Sequence, residues 1–559
     1  MIYWGALMRF TIRTYPMPRA PHVAKPWTVL DGVIYNILSM GVIFPWAYLW
    51  GPAIFPGANV ELAILLAFLA QIPISLVYSY LATAMPVNAG DYVYQRQAWG
   101  KWGFVVVFSG FVIWILQWVA LAGWLFSSLG LAPLLLTLGV QCKSGVLATL
   151  GILAASPIGI LCVSLLLALW TVWFLNRGID RFIKLQRILF VLTCLSVVAV
   201  AVVFMQKPPQ TSAAIDRFIS GLVEVLDIHV PEFLHSHFVD YITRDVTPAA
   251  PKFSLMATLG VVPIAWTSLQ WATYSVEQGR EIRGAGALRS QLMLFVGSAA
   301  AVTILLIGVA VAEQHAIDQR FLAASTAAYW NGSSSRYTTF FLRRVLQPFP
   351  NILAMAAAGH SLPCVIIALG FLANAIQVSC NCFIGISRII VEMTKDKFLP
   401  SWLLNRGNES TYTWPLVHWS YFVLSIPVIV GYCLLPEWNA FTLGVTFACG
   451  YVFFMTALAG WRLLLPGSTR SIDDPVIARV PRRLIKIVCS LAVGLAFVMV
   501  CSYLFVPSLG LATPASLVVV AAVFFVSWGV TWFSSRRRSQ PQQVSRQYSN
   551  LLPQDEHAL

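Results

Sequence analysis

Residues 27–50, WTVLDGVIYNILSMGVIFPWAYLW, decide the fold of this chain, because they form an apolar run long enough to cross a lipid bilayer. An α-helix rises about 1.5 Å per residue, so roughly 20 apolar residues match the thickness of the hydrocarbon layer. Gly41 and Pro45 lie near the middle of this run, and both residue types interrupt helices. The stretch therefore predicts a membrane helix with a break near its centre.

Runs of the same kind recur along the 559 residues, and we predict twelve membrane helices. Hydrophobic residues make up 58% of the chain and charged residues 10%, which excludes an ordinary soluble domain. The predicted spans are 27–50, 61–85, 104–131, 150–175, 182–204, 253–274, 287–312, 362–393, 414–435, 441–465, 484–505 and 512–533. The fold class that follows is an all-α membrane protein.

The basic residues define the predicted orientation of these helices. An even number of spans places both termini on one side of the membrane. About three quarters of the 36 Lys and Arg residues fall in the termini and in the loops on that side, a distribution typical of the cytoplasmic face. We therefore expect a multi-pass protein of the plasma membrane with both termini in the cytoplasm. This bias also explains the net charge of +14, so we expect no nucleic-acid partner.

Two of the predicted external loops are long, 205–252 and 313–351. In the first, apolar residues at near-helical spacing predict a small surface helix within 216–229. The same loop holds the carboxylates that a membrane-embedded enzyme would use, namely Asp216, Glu224, Asp227, Glu232, Asp240 and Asp245. Basic residues are interleaved with them, and an enzyme with an acidic external loop stays an alternative.

Groups that could perform catalysis or hold a metal are not clustered elsewhere in the sequence. There are no paired His ligands at helical spacing, no Cys-x-x-Cys pairs and no Gly-rich phosphate-binding loop. His235 and His237 lie two apart in an external loop, where solvated surface residues are common. We therefore expect no catalytic residues, no metal and no organic cofactor.

Charged residues are also rare inside the predicted spans and lie near the span ends. A charged solute would then be bound by backbone groups where helices break, and the sequence offers such breaks at 39–45 and 263–268. Amides that start one half-helix and carbonyls that end another fit the carboxylate and ammonium groups of an amino acid. Glycine and proline can also merely kink a membrane helix. Breaks in both span one and span six favour a binding site over simple kinks, because inverted repeats place equivalent helices at that spacing.

Three motifs resemble those of the amino acid-polyamine-organocation (APC) superfamily, which includes the amino acid permeases. Residues 39–44, SMGVIF, are similar to its Gly-x-Gly-Ile-Phe element, with Ser39 in place of the first glycine. Residues 86–94, PVNAGDYVY, are similar to its Pro-x-x-Gly-Gly-x-Tyr-x-Tyr loop, with Ala89 in place of one glycine. Residues 387–400 are similar to its Ser-Arg…Met…Asp-x-x-Leu-Pro ending of helix eight.

The resemblance covers nearly the whole membrane region and implies the leucine-transporter fold, in which two inverted five-helix repeats are followed by two further helices. The domains that it implies are a cytoplasmic N-terminal segment 1–26, a membrane domain 27–535 with repeats at about 27–205 and 253–465 and extra helices at about 484–533, and a basic, disordered cytoplasmic tail 536–559.

The resemblance also implies which residues bind the substrate. The polar ends of an amino acid would be held by Ser39, Met40, Gly41, Val42, Ile43, Thr267 and Ser268, with Trp266 as a gate. The cytoplasmic loop motif is represented by Gly90, Tyr92 and Arg388. Thr267 and Ser268 stand where the family has a glycine, so the substrate side chain is not implied.

The resemblance implies H⁺ or Na⁺ as the coupling ion. Proton-coupled members often carry a lysine in the fifth helix, and that position falls here at Thr193 or Cys194. Thr193 and Ser379 could supply oxygen ligands to Na⁺, which is a hard cation. Both hydroxyls could equally bond to carbonyls of their own helices.

The sequence thus predicts a secondary active amino acid permease that works by alternating access at broken helices one and six. Its partners would be a small-molecule substrate and the lipid bilayer, with no obligatory protein partner. A polyamine, a nucleobase or another small organic solute is the alternative substrate, although the lack of buried carboxylates disfavours a polycation. A channel or a receptor is compatible with the composition as well.

Overall fold

The computed structural model describes residues 26–41, 54–231, 237–246, 252–332, 335–404, 414–435, 438, 442–465, 474–506 and 514–537. Regular structure in these ranges is helical, with two isolated backbone bridges, Trp27 to Ile282 and Asn88 to Gln278. The all-α prediction is confirmed for the described part of the chain.

Twelve of the helices in the described ranges overlap the predicted spans, in the same order. They are α1 (Val29–Ser39), α2 (Val60–Ala84), α3 (Lys101–Gln141), α4 (Pro157–Leu175), α5 (Ile179–Val203), α6 (Leu255–Glu277), α7 (Leu288–Ala316), α8 (Ser361–Lys395), α9 (Trp414–Leu434), α10 (Thr442–Leu464), α11 (Arg482–Phe505) and α12 (Pro514–Arg537). Ten of them contain described segments long and apolar enough to cross a membrane. In the other two, α1 and α10, the described apolar segments are shorter.

The predicted end of the third span and the predicted start of the fourth span are wrong. Helix α3 continues to Gln141, past its predicted end at 131, and a separate short helix, Gly145–Ala154, precedes α4. Ser156 caps α4 by accepting a hydrogen bond from the Gly159 amide at 3.0 Å. Hydropathy misses this boundary because the residues on both sides of the cap are apolar.

The long loop after α5 contains a helix, as predicted. It spans Pro208–Leu226 and therefore begins before the predicted 216–229 segment. Its apolar face is buried through Ile215, Ile219 and Leu222. The second long loop contains the helices Gln319–Asn331 and Pro350–Ala357. Both loops are thus largely helical where they are described.

Helix α1 is fixed between α5, α8 and the end of α6. Its start is closed by a capping box in which the Thr28 hydroxyl accepts from the Asp31 amide and the Asp31 carboxylate accepts from the Thr28 amide. The Asp31 carboxylate also forms an ion pair with Arg187 of α5, with Nε 2.8 Å from Oδ1. Trp27 is fully buried and stacks edge-on against Tyr35 at 5.5 Å. These contacts hold the first helix at the centre of the bundle.

Candidate functional site

The end of α1 lies in the middle of the apolar run that opens the sequence. The helix stops at Ser39, Met40 is its C-cap, and Gly41 has φ +66°. This left-handed conformation suits glycine, because a side chain would clash with the following carbonyl. Val42 and Ile43, the next predicted binding residues, lie outside the described residues.

Helix α6 changes geometry close to its predicted break. An α-helix runs over Leu255–Leu269, and a 3-10 helix follows over Gln270–Glu277. Thr267 and Ser268 therefore lie in the last α-helical turn, and the Thr267 hydroxyl donates to the Ile264 carbonyl at 2.7 Å. The change comes after the predicted 263–268 segment, because Pro263 is accommodated within the α-helix. No glycine or proline marks the position where the geometry changes.

Two asparagines of α8 contact the end of α1. Asn381 Nδ2 donates to Ser39 Oγ at 2.7 Å, and Asn374 Nδ2 donates to the Leu38 carbonyl at 3.2 Å. Ser39 Oγ in turn donates to the Tyr35 carbonyl at 2.8 Å. Neither asparagine is among the site residues predicted from the sequence. Their spacing of one heptad, with Gln377 between them on the same face of an apolar helix, is the signal that could have identified them.

Gln377 extends this polar stripe to α5. Its Nε2 donates to Asn381 Oδ1 at 2.8 Å and to Gln186 Oε1 at 3.1 Å. Gln186 Nε2 donates to the Asp31 carbonyl at 3.0 Å. The stripe therefore links the two ends of α1 through α5 and α8.

The 3-10 part of α6 packs against the opposite side of α1. Asn36 exchanges two hydrogen bonds with Ser275, from Nδ2 to Oγ at 3.0 Å and from the Ser275 amide to Oδ1 at 2.8 Å. The rings of Tyr35 and Tyr274 stack at 5.7 Å. Helix α1 and the end of α6 are thus joined by buried polar and aromatic contacts.

Trp266, the predicted gate, is fully buried and faces α2. Its indole Nε1 donates to Gln71 Oε1 at 2.7 Å. A different tryptophan of the same helix, Trp271, contacts α3, where it packs against Phe111 at 6.0 Å and Trp118 at 5.7 Å. Trp271 is not among the site residues predicted from the sequence.

The two hydroxyls predicted as Na⁺ ligands have different surroundings. Ser379 Oγ lies 2.8 Å from Thr171 Oγ1 of α4. Thr193 is buried, and its Oγ1 has no hydrogen-bond partner within the described residues. The described structure therefore joins Ser379 to Thr171 rather than to Thr193.

The loop motif that is predicted to face the cytoplasm forms one connected cluster with the end of α6. Gly90 starts a short helix, Gly90–Trp99, and a Cβ there would lie 2.5 Å from Val276 Cγ2. The Tyr92 hydroxyl donates to Asp396 Oδ2 at 2.6 Å. Arg388 Nη2 lies 2.7 Å from Glu281 Oε2. All three predicted motif residues thus have defined structural contacts.

Buried charge is more frequent than predicted from the sequence, and the expected lack of buried carboxylates is wrong. Both members of the Arg388–Glu281 pair are buried, and so are Asp91, Glu277 and Glu313. They lie near helix ends, where hydropathy predicts contact with water. Neighbouring helices and the segments between them cover these charged groups instead.

The acidic residues of the first long loop do not form a metal site in the described ranges. Asp216 instead accepts a hydrogen bond from the Val239 amide at 2.9 Å, which joins the helix Pro208–Leu226 to the helix Phe238–Val246. Burial raises the pKa of the Asp216 carboxyl above its usual value. A structural contact thus accounts for this carboxylate, while Glu232 lies outside the described residues.

These apolar helices and their buried polar contacts define a multi-pass membrane protein. A family model described as amino acid permease matches residues 35–528, which is most of the chain. The chain belongs to the amino acid permease family of the APC superfamily, a family of membrane transporters.

Similarity to a curated protein is confined to a short segment. The chain is 33% identical over 94 residues to Uncharacterized protein 399 of Sulfolobus islandicus rod-shaped virus 1. The match covers 17% of this chain and 23% of the viral protein, so the chain spans less than a quarter of the length of that relative.

Proposed function

We propose that the chain is a secondary active transporter that moves amino acids across the plasma membrane by alternating access. The observation that carries this proposal is the end of α1 at Ser39, in mid-run, beside the 3-10 part of α6. A helix that stops inside an apolar run leaves its last backbone carbonyls without the hydrogen bonds that a continuing helix would give them. Such carbonyls attract the ammonium group of an amino acid.

The proposed substrate site lies around the end of α1. It comprises Ser39, Met40, Gly41, Val42, Ile43, Thr267 and Ser268, with Trp266 as the gate. The hydrogen bonds from Asn381 and Asn374 to this end support the proposal, because they fix the helix terminus in one orientation. A hydrogen bond from this site to a charged end of the substrate would contribute about 1.5 to 3 kcal/mol.

The remainder of the proposal follows the resemblance. Twelve helices would form two inverted five-helix repeats and two additional helices, with both termini in the cytoplasm. The segment that joins α2 to α3 would then lie at the cytoplasmic end, together with the end of α6. The coupling ion would be H⁺ or Na⁺.

The contacts at this end would form the closed gate of the cytoplasmic side. Ala89 N donates to the Glu277 carbonyl at 3.0 Å, and Arg283 N donates to the Trp27 carbonyl at 2.9 Å. Helix α6 is thereby joined both to the start of α1 and to the loop before α3. Alternating access requires these backbone contacts to separate when the substrate leaves on this side.

The test is uptake by the purified protein in liposomes. Labelled amino acids are supplied singly and as a mixture, with imposed H⁺ gradients, imposed Na⁺ gradients or neither, and protein-free liposomes serve as the control. Saturable uptake that unlabelled substrate inhibits is the expected result. Uptake of a polyamine or a nucleobase, with no uptake of any amino acid, would contradict the proposed substrate class.

A further inference from the structure

Two carboxyl groups meet at the closed cytoplasmic end, and the proposed transport site does not use them. Asp91 lies in the first turn of the helix Gly90–Trp99, and Glu277 is the last residue of α6. Both residues are completely buried. Their side chains lie within hydrogen-bond reach of each other. The contact depends on the tight packing of the loop before α3 against the end of α6.

The hydrogen-bond donors around the pair are distributed unequally. Asp91 Oδ1 accepts from the hydroxyls of Tyr78 on α2 and of Thr456 on α10, the latter at 2.5 Å. Asp91 Oδ2 and both oxygens of Glu277 have no other side-chain donor among the described residues, and the Asp91 backbone amide faces the Glu277 carboxyl group. An ionised carboxylate needs such donors, whereas a neutral carboxyl group supplies one itself. Asp91 is therefore suited to be the anion, and Glu277 is suited to donate its proton to Asp91 Oδ2.

Two buried carboxylates in contact cannot both remain ionised, because their mutual repulsion adds to the cost of burial. Burial raises the pKa of Asp91 above its usual value, although the two hydroxyl donors oppose that shift. The other titratable and charged groups facing the pair are Tyr35, Tyr78, Tyr94, Tyr274 and Arg388. Tyrosine titrates near pH 10 or above and arginine stays charged, so the carboxyl pair is the group here whose charge changes when the closed arrangement opens.

We propose that Asp91 and Glu277 together bind the coupling proton of this transporter. This inference rests on the proposed function, since it assigns the ion that drives transport. The closed cytoplasmic end holds one proton between the two carboxyl groups. When residues 276–281 separate from residues 86–90, water reaches the pair, the ordinary acidity of both groups returns, and the proton leaves to that side. The closed arrangement is therefore favoured at low pH and is lost as the pH rises.

A continuous set of contacts links the pair to the substrate site. Gln278, next to Glu277, donates from Nε2 to the Tyr35 hydroxyl at 3.3 Å, and that hydroxyl donates to the Asn381 carbonyl at 3.3 Å. Asn381 holds Ser39 through its side chain. Movement of the end of α6 must therefore disturb the residues that position the end of α1. This coupling makes substrate release and proton release parts of one conformational change.

The variants Glu277→Gln and Asp91→Asn test the assignment in proteoliposomes. At one proton per substrate, a gradient of one pH unit supports about tenfold accumulation. We expect wild-type protein to reach this ratio and both variants to fall to about one, while exchange of internal for external amino acid remains measurable. The matched control is Glu392→Gln, which alters a partly exposed carboxylate paired with Lys395 and should retain the response. Gradient-driven accumulation by both variants would overturn the proposal.

Infrared spectroscopy tests the proton itself, whether or not transport is observed. The wild-type protein at neutral pH should show the carbonyl band of a protonated carboxylic acid that Glu277→Gln lacks, that Asp91→Asn shifts because the proton loses its carboxylate acceptor, and that Glu392→Gln leaves unchanged. The same band in all three variants would overturn the shared proton. Amino acid exchange with no response to a proton gradient in the wild type would overturn the coupling role and leave the proposed function standing.

Discussion

Arg388 of α8 and Glu281, just beyond the end of α6, form a buried ion pair through two contacts: Nη2 lies 2.7 Å from Oε2, and Nε lies 3.0 Å from Oε1. Asn88 Nδ2 also donates to Glu281 Oε1, at 3.1 Å. Helix α8, the loop before α3 and the segment after α6 are remote in sequence, and they meet at the Glu281 carboxylate. The pair stabilises the closed arrangement of the proposed cytoplasmic gate.

Replacement of Arg388 by methionine should destabilise the protein strongly, because it leaves Glu281 as a buried charge without its partner. A loss of about 3 to 5 kcal/mol is typical of such a change. The double variant Arg388→Met with Glu281→Met should regain much of the loss, since neither charge remains. Thermal unfolding in detergent measures both effects. The surface pair of Lys395 and Glu392 provides the control, and Lys395→Met should cost at most about 1 kcal/mol. Equal losses in the single and double variants would contradict this account.

Gly279→Ala should impair closure of the proposed cytoplasmic gate. A Cβ at this position would lie 2.6 Å from the backbone carbonyl oxygen of Val87, which cannot rotate away as a flexible side chain can. We expect slower transport at normal expression, measured as the initial rate of uptake. Gly286→Ala is the control, because a Cβ there meets no atom within 4 Å. If both variants transport at the same rate, the close approach of these segments is not needed for function.

Gly41→Leu should abolish substrate binding and leave the bundle folded. The positive φ of Gly41 costs a residue with a side chain about 1 to 2 kcal/mol, and the new side chain would project at the end of α1. Gly308→Leu on α7 places the same side chain at an exposed position with no atom within 4 Å of its Cβ. Binding is measured by the thermal shift that amino acid substrate produces. A normal shift in Gly41→Leu would remove the end of α1 from the site.

The hydrogen bond between Asn381 and Ser39 should contribute to substrate affinity by positioning the end of α1. Loss of one such bond is worth about 1 kcal/mol, or roughly fivefold in Kd. We expect Asn381→Ala and Ser39→Ala each to weaken binding by this factor, and the double variant to be no weaker than either single variant. Titration calorimetry with the transported amino acid measures the cycle. Additive losses would show that the two residues act independently.

The membrane helices could be predicted because hydropathy is a property of neighbouring residues. The capped boundary at Ser156 could not, since a serine within an apolar run carries no hydropathy signal. Likewise the motif at Gly90 was recognised from local spacing, whereas its contact with Val276 depends on how two distant segments pack. The spacing of Asn374 and Asn381 marks a polar stripe on an apolar helix, but only the position of α1 shows what the two side chains bind.

The sequence by itself determined the helical membrane architecture, the family and the place where the first helix stops, because apolar run length, motif spacing and the conformational freedom of Gly41 are local properties. Only the tertiary structure decided that Asp91 meets Glu277, that Arg388 pairs with Glu281 and that Trp266 contacts Gln71. Burial and contact between distant residues arise from the packing of whole helices. The chemistry proposed here for the proton site depends on that packing.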